Sequence, residues 1–161
     1  MNILVVSDTH GSLQKAVEMY DRLGQGINID LIIHCGDFKK DAVQMGKLCN
    51  VDVVAVEGNS DGNSAGDVQL VETTAGTVVV THGHAEGVGR GSYGDLLKLA
   101  VKYDAKCVCF GHTHVPVYDE AGGVILLNPG SISQPRDGSQ GSVAFIVADK
   151  EINASIIPFM P

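Results

Sequence analysis

Two imidazoles one residue apart, His112 and His114, follow directly on the apolar run Cys107-Val108-Cys109-Phe110. Histidines at the end of a buried strand are an odd choice for packing and a natural one for ligating a metal ion. Four more apolar runs end in polar side chains of the same kind. Ile3 to Val6 runs into Ser7-Asp8-Thr9-His10-Gly11, and Ile29 to Ile33 into His34-Cys35-Gly36-Asp37. Val51 to Val56 runs into Gly58-Asn59-Ser60-Asp61-Gly62, and Thr77 to Thr81 into His82-Gly83-His84. All 6 histidines of the chain lie in or beside these clusters. Taken singly, Asp8-x-His10 also fits a helix-capping turn, and Asp37 and Asn59 also fit turn positions. His34, inside its strand, reads as a packed, hydrogen-bonded histidine, and His84 as either a contact near the site or a turn residue. Taken together, five strand ends with the same donor types point to one site.

The donors are oxygen and imidazole, with no thiolate required. That set suits Mn²⁺, Fe, Co²⁺, Ni²⁺ or Zn²⁺ better than Ca²⁺ or Mg²⁺ alone. Three or four histidines, two aspartates and an asparagine exceed the needs of one ion. Two ions about 3.5–4 Å apart, bridged by one carboxylate, would use them all. Such a pair polarises phosphoryl oxygens and turns a bridging water into hydroxide near neutral pH, which is the chemistry of phosphoester hydrolysis.

The elements that must position these residues follow from the apolar pattern. The short apolar runs are buried-type strands. Between the first two, Ser12 is placed to cap a helix with Leu13, Ala16, Val17 and Tyr20 on one face, ended by Gly24. Asp41 with Gln44 reads as the capping pair of a second helix. The pattern is thus βαβαβ, an α/β arrangement with a parallel sheet. Val68 to Thr73 and Thr77 to Thr81 read as two strands turning at Ala75-Gly76, and Ser92 with Asp95 as the start of a third helix. Val115 to Tyr118, Val124 to Leu127, Ser142 to Ala148 and Ala154 to Ile157 then read as strands without helices, which favours a largely antiparallel C-terminal sheet. In open α/β sheets the ligand crevice lies at the carboxyl ends of the strands, where all five clusters fall.

At 161 residues and 44% hydrophobic composition, one domain over residues 1–161 with a real core is the expectation. No apolar run approaches the roughly 20 residues of a membrane span, and the first residues read as a strand and not a leader. Cys35, Cys49, Cys107 and Cys109 show no Cys-x-x-Cys spacing and read as reduced, buried thiols of a cytoplasmic protein. The net charge of −8, with no basic run beyond Lys39-Lys40, leaves no footprint for duplex nucleic acid. Association into a homo-oligomer is compatible with the sequence.

The ordered set Asp8-x-His10, Gly36-Asp37, Gly58-Asn59, His82-Gly83 and Gly111-His112-x-His114 resembles the calcineurin-like metallophosphoesterase superfamily. The short length, the Asn59-x-Asp61 form and Asn128-Pro129-Gly130-Ser131 make it most similar to the small bacterial and archaeal phosphodiesterases. The resemblance implies a four-layer α/β/β/α sandwich of two mixed sheets flanked by helices. It implies two divalent transition-metal ions, manganese first among them, with Asp8, His10 and His114 on one, Asn59, His82 and His112 on the other, and Asp37 between. Asp37 and Asn59 then carry the catalysis. Many members place a histidine directly after the asparagine to assist the leaving group, and here that residue is Ser60, a poor proton donor. Protonation falls to water, to His84, or to nothing.

The segment Gly36-Asp37-Phe38-Lys39-Lys40 lacks the arginine of the protein Ser/Thr phosphatases. With only Arg22, Arg90 and Arg136, a guanidinium clamp for a monoester dianion is not expected. A small phosphodiester is the implied substrate, with Asn59 and Arg136 meeting its phosphate. Two alternatives stand behind it: a protein-binding scaffold, as in a retromer subunit of the same fold, and a phosphomonoesterase of small metabolites.

Overall fold

A computed structural model describes residues 1–161. Strand β1 (Asn2–Val6) is followed by helix α1 (Gln14–Gly24), β2 (Leu31–His34), α2 (Lys39–Cys49) and β3 (Asp52–Ala55). The hairpin β4 (Val68–Thr73) and β5 (Gly76–Thr81) leads to α3 (Gly94–Tyr103) and β6 (Ala105–Cys109). The chain ends in β7 (Pro116–Ala121), β8 (Val124–Pro129), β9 (Ser142–Ala148) and β10 (Ile152–Pro158). No helix is long and apolar enough to cross a membrane.

The strands form two five-stranded mixed sheets, in the orders β10-β9-β1-β2-β3 and β4-β5-β6-β8-β7. In the first, β1, β2 and β3 run parallel, with β9 antiparallel to β1. In the second, β5, β6 and β8 run parallel, with β4 and β7 as antiparallel edges. The central strands are apolar on both faces because both are covered. Ile3 and Val5 meet Val78, Val80, Cys107 and Cys109 between the sheets. Leu4, Val6 and Ile32 face outward onto Ala16 and Met19 of α1 and Met45 of α2. Val79, Val108 and Leu126 face outward onto Leu96 and Ala100 of α3. The layers are therefore helix, sheet, sheet, helix, as the resemblance implies.

Two expectations are corrected. The last four strands do not build one antiparallel sheet: β7 and β8 complete the second sheet, and β9 and β10 the first. The hairpin at Gly122-Gly123 brings β8 back parallel to β6, and residues 130–141 then carry the chain across to the other sheet. The helices also start without the anticipated caps. Leu13, Phe38 and Tyr93 precede α1, α2 and α3, and none caps its helix with a side chain. Asp41 lies inside the first turn of α2 and turns its carboxylate to the segment after β1, accepting the Gly11 N–H at 2.7 Å.

Candidate metal centre

The parallel strands β1, β2, β3, β5 and β6 all deliver their carboxyl ends to one edge of the sandwich, and the predicted donors follow immediately. The backbone there is bent hard. Eight non-glycine residues adopt positive φ: Asp8, His10, Asp37, Phe38, Asn50, Asp104, His112 and His114. Asn50 and Asp104 are helix C-caps, where the left-handed conformation is routine. The other six are five predicted ligands and the neighbour of one. Left-handed backbone costs a non-glycine residue on the order of 1–2 kcal/mol, so the fold holds these turns against a local preference. The glycines of the motifs permit close approach. A Cβ on Gly58 would stand 2.1 Å from Asp37 Oδ1, and one on Gly111 2.0 Å from Ser7 Oγ.

Asp8, His10, Asp37 and His114 converge, with one donor atom from each inside a 4.8 Å span. Asp8 is fully buried. Its Oδ2 accepts from Ser7 Oγ at 2.5 Å and from the His112 N–H at 3.0 Å. Its Oδ1 has no hydrogen-bond partner. That orphaned oxygen faces three imidazole Nε2 atoms, of His114 at 3.3 Å, His82 at 3.8 Å and His10 at 4.0 Å. Asp37 lies between two groups, with Oδ2 3.6 Å from His10 Nε2 and Oδ1 3.3 Å from His82 Nε2.

The outer ring nitrogens fix how the histidines face. His114 Nδ1–H donates to the Gln134 carbonyl and His82 Nδ1–H to the Cys35 carbonyl, both at 2.7 Å. In the neutral ring each Nε2 is then a bare lone pair aimed inward. His82 Nε2 meets Asn59 Oδ1 at 3.1 Å, and His114 Nε2 meets His10 Nε2 at 3.2 Å. Acceptors pointed at one another, with the protons of His82 and His114 committed outward, fit a cation among them. In the metal-free protein the same groups shift one another's titration. Burial works to raise the Asp8 pKa, yet the facing His114, the charge of His82 and the Ser7 hydroxyl outweigh it, and the carboxyl sits below its usual value. The Asp8 carboxylate in turn raises His114 against the effect of burial. Burial, then the neighbouring His82, lowers His112.

The remaining predicted residues flank this cluster. Asn59 opens a short 3₁₀ turn, Asn59–Asp61, and is exposed. His112 is half-buried, with its ring edge-on to that of His82 at 5.1 Å. His84 lies beside both, donating Nε2–H to the Asn63 carbonyl at 2.7 Å and leaving Nδ1 buried without a partner. Ser60 is fully engaged with Asp37: its N–H and its Oγ donate to the two carboxylate oxygens, each at 3.0 Å. Arg136 stands exposed on the rim, its backbone N–H donating to the His114 carbonyl. The surface concavities lie elsewhere, one lined by Asn28, Asp30, Asn50 and Asp52 at the opposite ends of the parallel strands. Donor chemistry, not concavity, marks this site.

The sequence offers Asn128-Pro129-Gly130-Ser131 only as a mark of the resemblance. The structure shows it as a cradle. Asn128 Nδ2 donates to the Gly111 carbonyl, Ser131 Oγ to the Asp8 carbonyl and Ser133 Oγ to the Thr9 carbonyl. Asp61 was equally unassigned. Its carboxylate accepts the N–H of Gly58 and of Lys39, tying the turn of Asn59 to the start of α2.

A family model described as the calcineurin-like phosphoesterase superfamily domain matches residues 1–151. A phosphodiesterase of Methanocaldococcus jannaschii is 32% identical over 152 residues, covering 81% of this chain and 83% of that protein. Among solved structures, a Streptococcus pneumoniae protein described as a predicted phosphoesterase superposes with TM-score 0.77 at 28% identity, over 98% of this chain and 88% of that one. Vps29 from Entamoeba histolytica, in complex with Zn²⁺, superposes with TM-score 0.74 at 20% identity, over 98% of this chain and 99% of its own, a likeness of fold alone.

Proposed function

The chain belongs to the calcineurin-like phosphoesterase superfamily, and on that premise we propose that it is a cytoplasmic phosphodiesterase with two metal positions. Asp8, His10 and His114 would hold one ion, Asn59, His82 and His112 the other, and Asp37 both. The observation that carries this reading is the pose of Asp37, whose two oxygens address His10 on one side and His82 on the other. The orphaned Oδ1 of Asp8 among three imidazoles supports it. Bound divalent ions would supply Lewis-acid polarisation of the phosphoryl oxygens and an activated water. The oxygen and imidazole donors favour Mn²⁺, with Fe, Co²⁺, Ni²⁺ or Zn²⁺ as substitutes.

The chain's own residues decide the rest. Asn59 reaches the surface, and its amide N–H can donate to a phosphoryl oxygen while Oδ1 faces His82. Arg136 adds positive charge at the rim. Ser60 cannot serve as the acid, because its hydroxyl proton is committed to Asp37. His84 gives its Nε2–H to the Asn63 carbonyl, so that proton is not aimed at a leaving group. A site without a built-in acid or an arginine clamp suits a diester, which carries less charge than a monoester. The four free thiols support a reducing compartment.

Elemental analysis after Mn²⁺ loading, combined with paired diester and monoester substrates, tests this. About two ions per chain and a diester rate well above the monoester rate are expected. Fewer than one ion per chain would favour a scaffold of the same fold instead. A monoester rate above the diester rate would favour the phosphomonoesterase.

A further inference from the structure

The turn that carries Asp8 and His10 is held by residues that touch neither predicted ion. His34 closes β2 and is fully buried. Its Nδ1 accepts the Gly36 N–H at 3.2 Å, and its Nε2 lies 2.9 Å from Thr9 Oγ1. The same hydroxyl lies 2.6 Å from Asp41 Oδ2, which also accepts the Gly11 N–H. A hydroxyl has one proton, and the carboxylate is the stronger acceptor. Thr9 therefore gives its proton to Asp41 and accepts one from His34 Nε2–H. Only one tautomer of a neutral ring satisfies both of its neighbours. Burial keeps the ring neutral, lowering its pKa to about 4.

This chain of hydrogen bonds joins three segments. Thr9 stands between Asp8 and His10. His34 stands three residues before Asp37. Asp41 lies in the first turn of α2, just after Asp37 and Phe38. Asp8, His10 and Asp37 all sit at positive φ, a conformation that persists only where neighbours over-determine it. Resting on the metal-centre reading above, we propose that His34, Thr9 and Asp41 form a positioning clip that fixes Asp8, His10 and Asp37 against one another and so sets the affinity of the first metal position. None of the three is a ligand. Their place is that of the outer groups that orient ligands in metal proteins, whose loss weakens binding roughly 10- to 100-fold.

Calorimetric titration of the metal-free protein with Mn²⁺, alongside its thermal midpoint, decides the matter. Thr9→Val keeps the shape and removes the hydroxyl. His34→Phe removes both ring nitrogens, whereas His34→Gln keeps an N–H near the place of Nε2. Thr9→Val and His34→Phe should each weaken the tighter site by about 10-fold or more, with His34→Gln recovering most of the loss. The double variant should be no weaker than the worse single one, because both cut one chain. Variants that melt earlier yet bind the tight ion as wild type does would make these residues packing alone and overturn the clip. Should His34→Phe fail to fold, Thr9→Val decides by the same comparison. Wild type that takes up no Mn²⁺ would remove the metal centre and the clip with it, a result distinct from wild type and variants binding equally well.

Discussion

The two halves of the proposed centre are built differently. In the half of Asp8, His10 and His114, Asp8 is 0% exposed and His114 3%, and only His10 is partly exposed. Its turn is held from one side by Ser131 and Ser133 and from the other by Asp41 and Thr9. In the half of Asn59, His82 and His112 the backbone is tied by Asp61 and by Asn128, but only His82 has a fully buried side chain. Asn59 rides an exposed turn, and the His112 ring is half-buried with no hydrogen bond to fix it. Preorganisation lowers the ordering cost of binding. One position should therefore be tight and permanent, and the other weaker and open to exchange.

Asp37 is the largest test of that contrast, because it is the one donor common to both halves. Asp37→Ala should remove both ions and lower diester hydrolysis by well over the roughly 100-fold ceiling seen for outer-shell partners. Elemental analysis of the variant after Mn²⁺ loading reads the ions, and initial rates read the activity. Retention of two ions would show that neither half depends on the bridge.

His34 tests the rigid half through pH. Its folded pKa of about 4 lies below the ordinary 6.5, so between those values the unfolded chain binds a proton that the native ring refuses. Stability contributed by the neutral ring is present above 6.5 and is lost as pH falls towards 4, by about 3 kcal/mol in all. His34→Gln removes that titration. Its urea-unfolding free energy, measured without metal at pH 7 and pH 4, should decline less than that of wild type by about this amount. Equal declines would mean that the ring takes up its proton in the native state.

Ligand deletions on either side should be unequal. His114→Ala should abolish the tight Mn²⁺ site, whereas His112→Ala should leave it within about ten-fold of wild type and lose the weak ion. Two-site titration of each variant reads this directly. Equal losses would erase the distinction between the halves.

How much of this was legible follows the same division. Buried parallel strands are continuous apolar runs, so five of them, and the polar residues that converge at their ends, could be read off directly. Which residue holds which turn could not. Asp41 with Gln44 has the local form of a cap, but its carboxylate is bound 30 residues away in sequence, at Gly11. Local patterns compete with long-range partners of the same chemistry, and sequence spacing does not separate them. The placement of the last four strands was hidden for a related reason. Short turns mark hairpins, but the crossing at residues 130–141 changes sheets, and nothing in its composition says so. Its serines became meaningful only when seen against the carbonyls of Asp8 and Thr9.

The smallest expected effect concerns Ser60, on the open side of Asp37. Its hydroxyl is one of two donors to that carboxylate, and the backbone N–H remains when the side chain is removed. A single hydrogen bond to a charged group contributes about 1.5–3 kcal/mol when buried and less when, as here, the donor is exposed. Ser60→Ala should therefore reduce the diester kcat only several-fold and leave the tight ion in place, because the rigid half does not use Ser60. Ser60→His goes the other way: it frees Asp37 of the hydroxyl and adds an imidazole able to donate a proton near neutral pH. Monoester hydrolysis should then rise relative to diester hydrolysis in the same preparation. An unchanged ratio would mean that the leaving group already finds its proton elsewhere, and the diester preference would have to be sought in the sparse positive charge around Arg136.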